Sequence, residues 1–223
     1  YRVKLATLRY QYAIWSLIGP KSQNLIAQLG VTQIPQAKHS HITANIDQFS
    51  IRLAADNSLN LPGYTLIVPQ TEAATLWSKI IEQGVVPLGE NVWEQLRIHQ
   101  GRPAPSKELT EDYNPLEAGL WQKVSFDKGC YIGQETIARL NTYKGVKQRL
   151  WGVKLTALVA PGTPVTLNDS KVGALTSCIA TPAGNLGLAY IRTKVGGEGL
   201  KVEIGQAEGE IIAPSFLNHE YVN

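Results

Sequence analysis

From about Gln148 onward the apolar residues stop recurring at helical spacing, and that change limits the fold more than any other feature of the chain. Short apolar runs, Ala174–Ile179 among them, alternate with the turn clusters Pro161-Gly162-Thr163-Pro164, Asn168-Asp169-Ser170 and Gly196-Gly197-Glu198-Gly199. A chain broken at such short intervals has no room for helices, and it buries its apolar side chains as a small β-barrel or sandwich. A domain boundary is therefore expected near Lys147, dividing residues 1–147 from residues 148–223.

The first region reads differently. Residues 1–18 are rich in Val, Leu, Ile, Tyr and Trp and are expected to hold one or two strands. Gly19-Pro20 opens a helix with the apolar stripe Leu25, Ile26, Leu29, and Gly30 stops it. Residues 39–54 and Thr65–Val68 read as strands. Thr71 is placed to cap a second helix, in which Leu76, Trp77, Ile80 and Ile81 fall at helical spacing and which Gly84 ends. A third helix is expected over Glu90–Ile98, with Val92, Trp93 and Leu96 on one face. This order of strands and helices is α+β rather than a doubly wound parallel sheet.

Composition narrows the function classes. Hydrophobic residues are 43% and charged residues 17%, a globular balance rather than a disordered one. No run of ~18 apolar residues is present, so no membrane span is expected. Lys and Arg total 21 against 18 Asp and Glu, and they are dispersed rather than striped. No direct nucleic-acid partner is expected on that charge. Two cysteines, Cys130 and Cys178, are too few for a disulfide framework, so a reducing compartment is the reading, by default the cytoplasm. Two thiols also fall short of the four ligands of an ordinary iron–sulfur cluster, so no metal is expected to be held by this chain alone. Methionine is absent, including at position 1, and a natural start is expected to be missing.

Several partial motifs carry no chemistry. Gly19-Pro20-Lys21-Ser22 lacks the upstream glycine of a phosphate loop, and Pro20 removes a backbone donor. His39 and His41 have no third ligand in view and read as surface histidines. The dense stretch is Lys128-Gly129-Cys130-Tyr131-Ile132-Gly133-Gln134-Glu135. It reads as a loop entering a helix that continues through Thr136–Leu140. Gly129 and Gly133 supply backbone conformations closed to other residues. A thiol near a helix N-terminus, two residues from Lys128, is favoured as thiolate. The same residues also fit a small buried cysteine packing a tight turn.

That octet resembles the signature of the YgfZ-type folate-binding family, tRNA-modifying and iron–sulfur accessory proteins related to the glycine-cleavage T-protein (aminomethyltransferase). Further segments resemble the family in its own order: Trp15–Leu29, Gly89–Pro103, Asn114–Leu120, Gly187–Arg192 and Ala213–Phe216. The resemblance implies an α+β, T-protein-like folate-binding domain without its N-terminal part, followed by a small C-terminal β-barrel. It implies tetrahydrofolate as a small-molecule ligand and iron–sulfur client or assembly proteins as partners. Cys130 and Lys128 would do the chemistry, on a loop shaped by Gly129, Tyr131, Gly133, Gln134 and Glu135. Arg97, His99 and Arg139 would meet the folate, and Arg139 fits a surface salt bridge equally well. Relatives often carry Glu where this chain has His99. Imidazole offers one acceptor where a carboxylate offers two, a difference of about 1–3 kcal/mol for a buried contact.

Three functions follow from the resemblance: support for assembly or repair of iron–sulfur proteins, a non-catalytic scaffold on the same fold, and one-carbon transfer to tetrahydrofolate. A classical enzyme is the less favoured expectation, because the T-protein lacks the cysteine signature. A plastid stromal or mitochondrial matrix protein stripped of its leader would carry the same mature sequence.

Overall fold

The computed structural model describes residues 2–56 and 59–222. The chain forms two compact units, Tyr1–Leu88 and Gly89–Asn223. The texture of the sequence groups residues 89–147 with the first region. In the structure they belong with the barrel, because they pack on its outer surface.

The first unit is an antiparallel sheet of four strands in the order β1-β4-β3-β2: β1 Tyr12–Ile18, β2 His41–Ile46, β3 Phe49–Ala54 and β4 Gly63–Pro69. Alternation sends Ile51, Leu53, Tyr64, Leu66 and Val68 to one face. There they meet Leu25 and Ile26 of α1 (Ser22–Gln28) and Ala73, Leu76 and Ile80 of α2 (Gln70–Glu82). Residues 2–11 form no strand. Helix α2 begins directly after Pro69 and Thr71 lies inside its first turn, so Thr71 is not the cap. The Gly19–Ser22 stretch is an ordinary helix entry, with the Ser22 hydroxyl donating to the Gly19 carbonyl at 2.7 Å. His39 sits at positive φ outside the sheet and pairs with Asp56, whereas His41 opens β2.

In the second unit, β5 Gln148–Leu155, β6 Pro164–Leu167, β7 Ser170–Thr181, β8 Gly184–Arg192, β9 Lys201–Ile204 and β10 Ala207–Ile212 close into a barrel in the order β10-β5-β8-β7-β6-β9. Val153, Val165, Leu175, Ile191, Ile204 and Ile211 fill the interior. Each such side chain contributes about 1.5–3 kcal/mol by leaving water. Cys178 on β7 is half-buried against this core.

Helix α3 (Glu90–Gln100) packs on β7 and β8. Its buried residues are Arg97 and Ile98, not the expected stripe of Val92, Trp93 and Leu96; Val92 is exposed. A buried ion-pair network turns the helix this way. The Gly196–Gly199 cluster is a turn, with Trp151 packed where a Gly197 side chain would stand. After β10 the chain runs on as a strap. Phe216 N–H donates to the Gln100 carbonyl, Asn218 N–H donates to the Gly119 carbonyl, and Val222 exchanges two hydrogen bonds with the Asn141 side chain.

Candidate functional site

The signature loop rests on a small apolar floor. Asn114 and Glu117 cap each other's backbone: Asn114 Oδ1 accepts from Leu116 and Glu117 N–H at 3.0 Å, and Glu117 Oε2 accepts from Asn114 N–H at 3.2 Å. This tight turn delivers Trp121 into a cluster with Leu116, Ile137 and Val146, flanked by Phe126, Leu140 and Tyr221. Ile137 is the buried residue of α4 (Gln134–Thr142), so one side chain seats that helix on the floor.

The loop itself stands in solvent. Gly133, at φ 87°, forms the left-handed entry to α4. Gln134 reaches back so that its Oε1 accepts from Tyr131 N–H at 3.0 Å. Between these anchors Lys128, Gly129, Cys130, Ile132 and Glu135 are exposed and Tyr131 is half-buried. Gly129 does not use the left-handed region, and open space surrounds the position its Cβ would take, so the backbone constraint is at Gly133 alone. The Lys128 ammonium lies over the Tyr131 ring, 5.0 Å from its centroid. Of the two readings of Cys130, the buried one is excluded: the sulfur is exposed.

The three residues expected to meet folate are placed differently. Arg97 is 1% exposed, and its five N–H groups are all spent inside the fold. It grips Glu94 with Nε and Nη2, both at 2.7 Å, and reaches Glu108 at 3.1 Å, Ser177 Oγ at 2.9 Å and the Arg102 carbonyl at 3.4 Å. A guanidinium in that state holds α3 on the barrel and has no donor left for a ligand. His99 is exposed on the last turn of α3, its Nδ1 3.4 Å from Gln100 Nε2. Arg139 is exposed on α4. Among the described residues no hydrogen bond or ion pair ties His99 or Arg139 to the cysteine loop, and no group of three His, Cys, Asp or Glu is disposed to hold a metal ion.

Glu108, which carries no sequence signal, is the acid that organises this unit. It is fully buried. One oxygen accepts from Arg97 and from Ala104 N–H at 3.0 Å; the other accepts from Thr176 at 2.8 Å and Ser177 at 2.5 Å. Adjacent strand residues normally point to opposite faces. The register shift in β7 between Leu175 and Ser177 is what lets both hydroxyls reach one carboxylate.

Three groups in this unit have strongly moved pKa values, and of these the Tyr190 phenol is pushed far up by burial. The Arg97 hydrogen bond outweighs burial and, with Lys107, holds Glu94 down to about 2. Its stabilising share is present above the ordinary value of 4.5 and lost as pH falls through about 2. Burial, and then the Arg149 charge, hold His219 down to about 4. Its Nε2–H donates to the Leu150 carbonyl at 2.9 Å, which favours the charged ring, but burial and Arg149 outweigh that bond and the native state prefers the neutral ring. The unfolded chain binds that proton near 6.5, so stability is full above that pH and falls between 6.5 and about 4. Thermal unfolding followed from pH 7.5 to 4 should show this decline, and His219→Asn should flatten it. An unchanged slope in the variant would mean that another group titrates.

A concavity of about 290 Å³ in the first unit, lined by Pro20, Gln36, Lys38, Asn60 and Tyr64 among others, contains none of the residues singled out in the sequence as site residues.

Known proteins match this architecture. The profile of the GCVT N-terminal domain covers residues 2–128. A chloroplastic protein of Arabidopsis thaliana, provisionally named a transferase, is 37% identical over 217 residues, covering 95% of this chain and 50% of that protein. Aminomethyltransferases of Caldanaerobacter subterraneus and Thermoanaerobacter pseudethanolicus are each 28% identical, covering 92% and 99% of this chain and 57% and 64% of theirs. The chain thus spans from half to under two-thirds of the length of these relatives. The crystal structure of the glycine cleavage system aminomethyltransferase T from Bartonella henselae superposes with a TM-score of 0.79 at 19% identity, over 95% of this chain and 61% of that one. The fold is that of the aminomethyltransferases, and the chain belongs to the GCVT N-terminal domain family.

Proposed function

We propose that this protein is a YgfZ-type accessory factor that supports assembly or repair of iron–sulfur proteins, with tetrahydrofolate as its small-molecule partner and Cys130 as its working thiol. The observation that carries this reading is the exposed Cys130 on a short loop pinned at Gly133 and Gln134. One accessible thiol contacts a cluster in transit, takes the outer sulfur of a donor persulfide as that donor leaves as its thiol, or exchanges with a disulfide and releases one of its sulfurs as a thiol. Holding a cluster takes further ligands, which a client or assembly protein would supply. His99 and Arg139 are the proposed folate contacts; Arg139 offers a guanidinium to a folate carboxylate. The chloroplastic relative supports a plastid location over the cytoplasmic default.

In cells lacking the endogenous protein, the complete protein should restore iron–sulfur enzyme activity and its Cys130→Ser variant should not. Full restoration by the variant would remove the thiol from the function. Iodoacetamide should label exposed Cys130 well before half-buried Cys178; equal, slow labelling would contradict an accessible thiol.

The aminomethyltransferase names of several relatives favour a second reading, one-carbon transfer to tetrahydrofolate. Turnover of an aminomethyl donor that survives Cys130→Ser would establish it. The five tryptophans report folate directly: saturable quenching by tetrahydrofolate supports both ligand-binding readings, and no response at millimolar ligand leaves the scaffold.

A further inference from the structure

The strap after β10 keeps its place without a buried anchor. Pro214 is buried, but every residue from 215 to 222 is half-buried or exposed. The groups beneath it are not: Trp121 is 3% exposed and Leu150 is fully buried. Hydrogen bonds to one element after another hold the strap down. Ser215 Oγ donates to Gln100 Oε1 at 2.7 Å, and Phe216 N–H donates to the Gln100 carbonyl at the end of α3. Gln122 Nε2 donates to the Phe216 carbonyl at 3.1 Å, and Asn218 N–H donates to the Gly119 carbonyl. His219 reaches the Leu150 carbonyl on β5. Val222 closes the run on α4, accepting from Asn141 Nδ2 at 2.8 Å and donating to its Oδ1 at 2.9 Å.

Two further features bear on how firmly it sits. Trp121 Nε1, Arg149 Nε and Trp151 Nε1 are buried donors without a partner, and each of these side chains touches a strap ring. Trp121 meets Tyr221 edge-on at 4.9 Å between centroids, the Arg149 guanidinium lies over Tyr221 at 5.3 Å, and Trp151 meets His219 edge-on at 4.3 Å. A buried donor without an acceptor costs free energy that water returns once its cover lifts. Helix α4 depends on the strap in turn. Among the described residues, the Asn141–Val222 pair is the only hydrogen-bonded link from α4 to anything beyond residues 131–145. Apart from it, the buried Ile137 seats the helix.

We propose that the strap is a latch on the cysteine-loop helix: residues 215–222 lift as a unit while the barrel stays folded, and their release frees α4 and the loop it carries. A segment with few buried apolar contacts and solvent-facing hydrogen bonds opens well below the global unfolding free energy. Asn141 is the positioning residue that couples strap to helix. The latch stands on these contacts alone; its bearing on sulfur chemistry rests on the reading of Cys130 as the working thiol.

Native-state hydrogen exchange of the wild-type protein at pH 7, in urea below the unfolding transition, tests the latch without thiol chemistry. The amides of Phe216, Asn218, Val222, Ile137, Tyr143 and Tyr131 and the Trp121 indole N–H should exchange as one group with one dependence on urea. That group should exchange faster than the amides of β5 and β8 by roughly tenfold or more. Asn141→Ala removes two hydrogen bonds and should speed the group roughly tenfold, leaving β5 and β8 unchanged. Alanine is a better helix former than asparagine, so local propensity alone would slow exchange in α4. The proposal fails if α4 and Trp121 exchange only together with β5 and β8. It fails equally if the strap frays residue by residue while they stay protected, or if folded Asn141→Ala protein leaves α4 unchanged or slower. Should that variant not fold, the wild-type grouping decides by itself. Restoration of activity by Cys130→Ser tests the thiol separately, so either reading can fall without the other.

Discussion

Arg97→Ala will lower stability by about 3–5 kcal/mol, the cost of leaving a buried charge without its partner. Glu108 is fully buried, and Arg97 is the cation that faces it. Glu94 keeps Lys107 at 2.7 Å and is less affected. The same change removes the donor that Ser177 accepts from. Urea unfolding at neutral pH should show a lower midpoint with an unchanged slope against denaturant. The double variant Arg97→Met with Glu108→Gln should recover more than half of the loss, because no net charge then remains inside. A single-variant loss under about 1 kcal/mol would put the pair in the class of exposed ion pairs, which contribute little.

Gly101→Ala should be nearly as damaging, for a steric reason. Gly101 ends α3 at φ 81°, and a Cβ there would stand 2.5 Å from Pro214 Cβ and 2.8 Å from its Cγ. Left-handed strain of roughly 1–2 kcal/mol adds to overpacking of roughly 1–3 kcal/mol. Gly133→Ala is the control. Its φ of 87° is similar, but nothing lies within 4 Å of the added carbon, so only the strain is expected. Equal losses from the two substitutions would show that the strap yields to the added methyl group without cost.

The parts of the fold that local rules govern are legible in the sequence. The barrel begins at Gln148, where helical spacing stops, and Gly30 and Gly84 each follow a helix. The signature octet marks the loop, its turn at Gly133 and the entry to α4. Pairings between distant segments are not legible. Arg97 sits on a helix with other charged residues, and nothing nearby marks it as the buried one. Its partners come from residue 108 and from a strand near residue 177, brought in by a register shift that leaves no mark in composition. Val92 and Trp93 read as a core face because they are apolar, yet the buried ion pair sets the rotation of α3. The strap after β10 has no periodicity at all, and its contacts follow from the barrel's geometry alone.

Closure of the barrel has a consequence for how the protein is made. Strand β5 finds a neighbour in β8, but its other side stays open until β10 pairs Ile211 with Val153. On the ribosome the half-built sheet must wait, with Val153 and Leu155 wet and a row of amides unclaimed, until the last strand has left the exit tunnel. Over that interval the open edge is a site for aggregation, and a pause in translation just before β10 would lengthen its exposure.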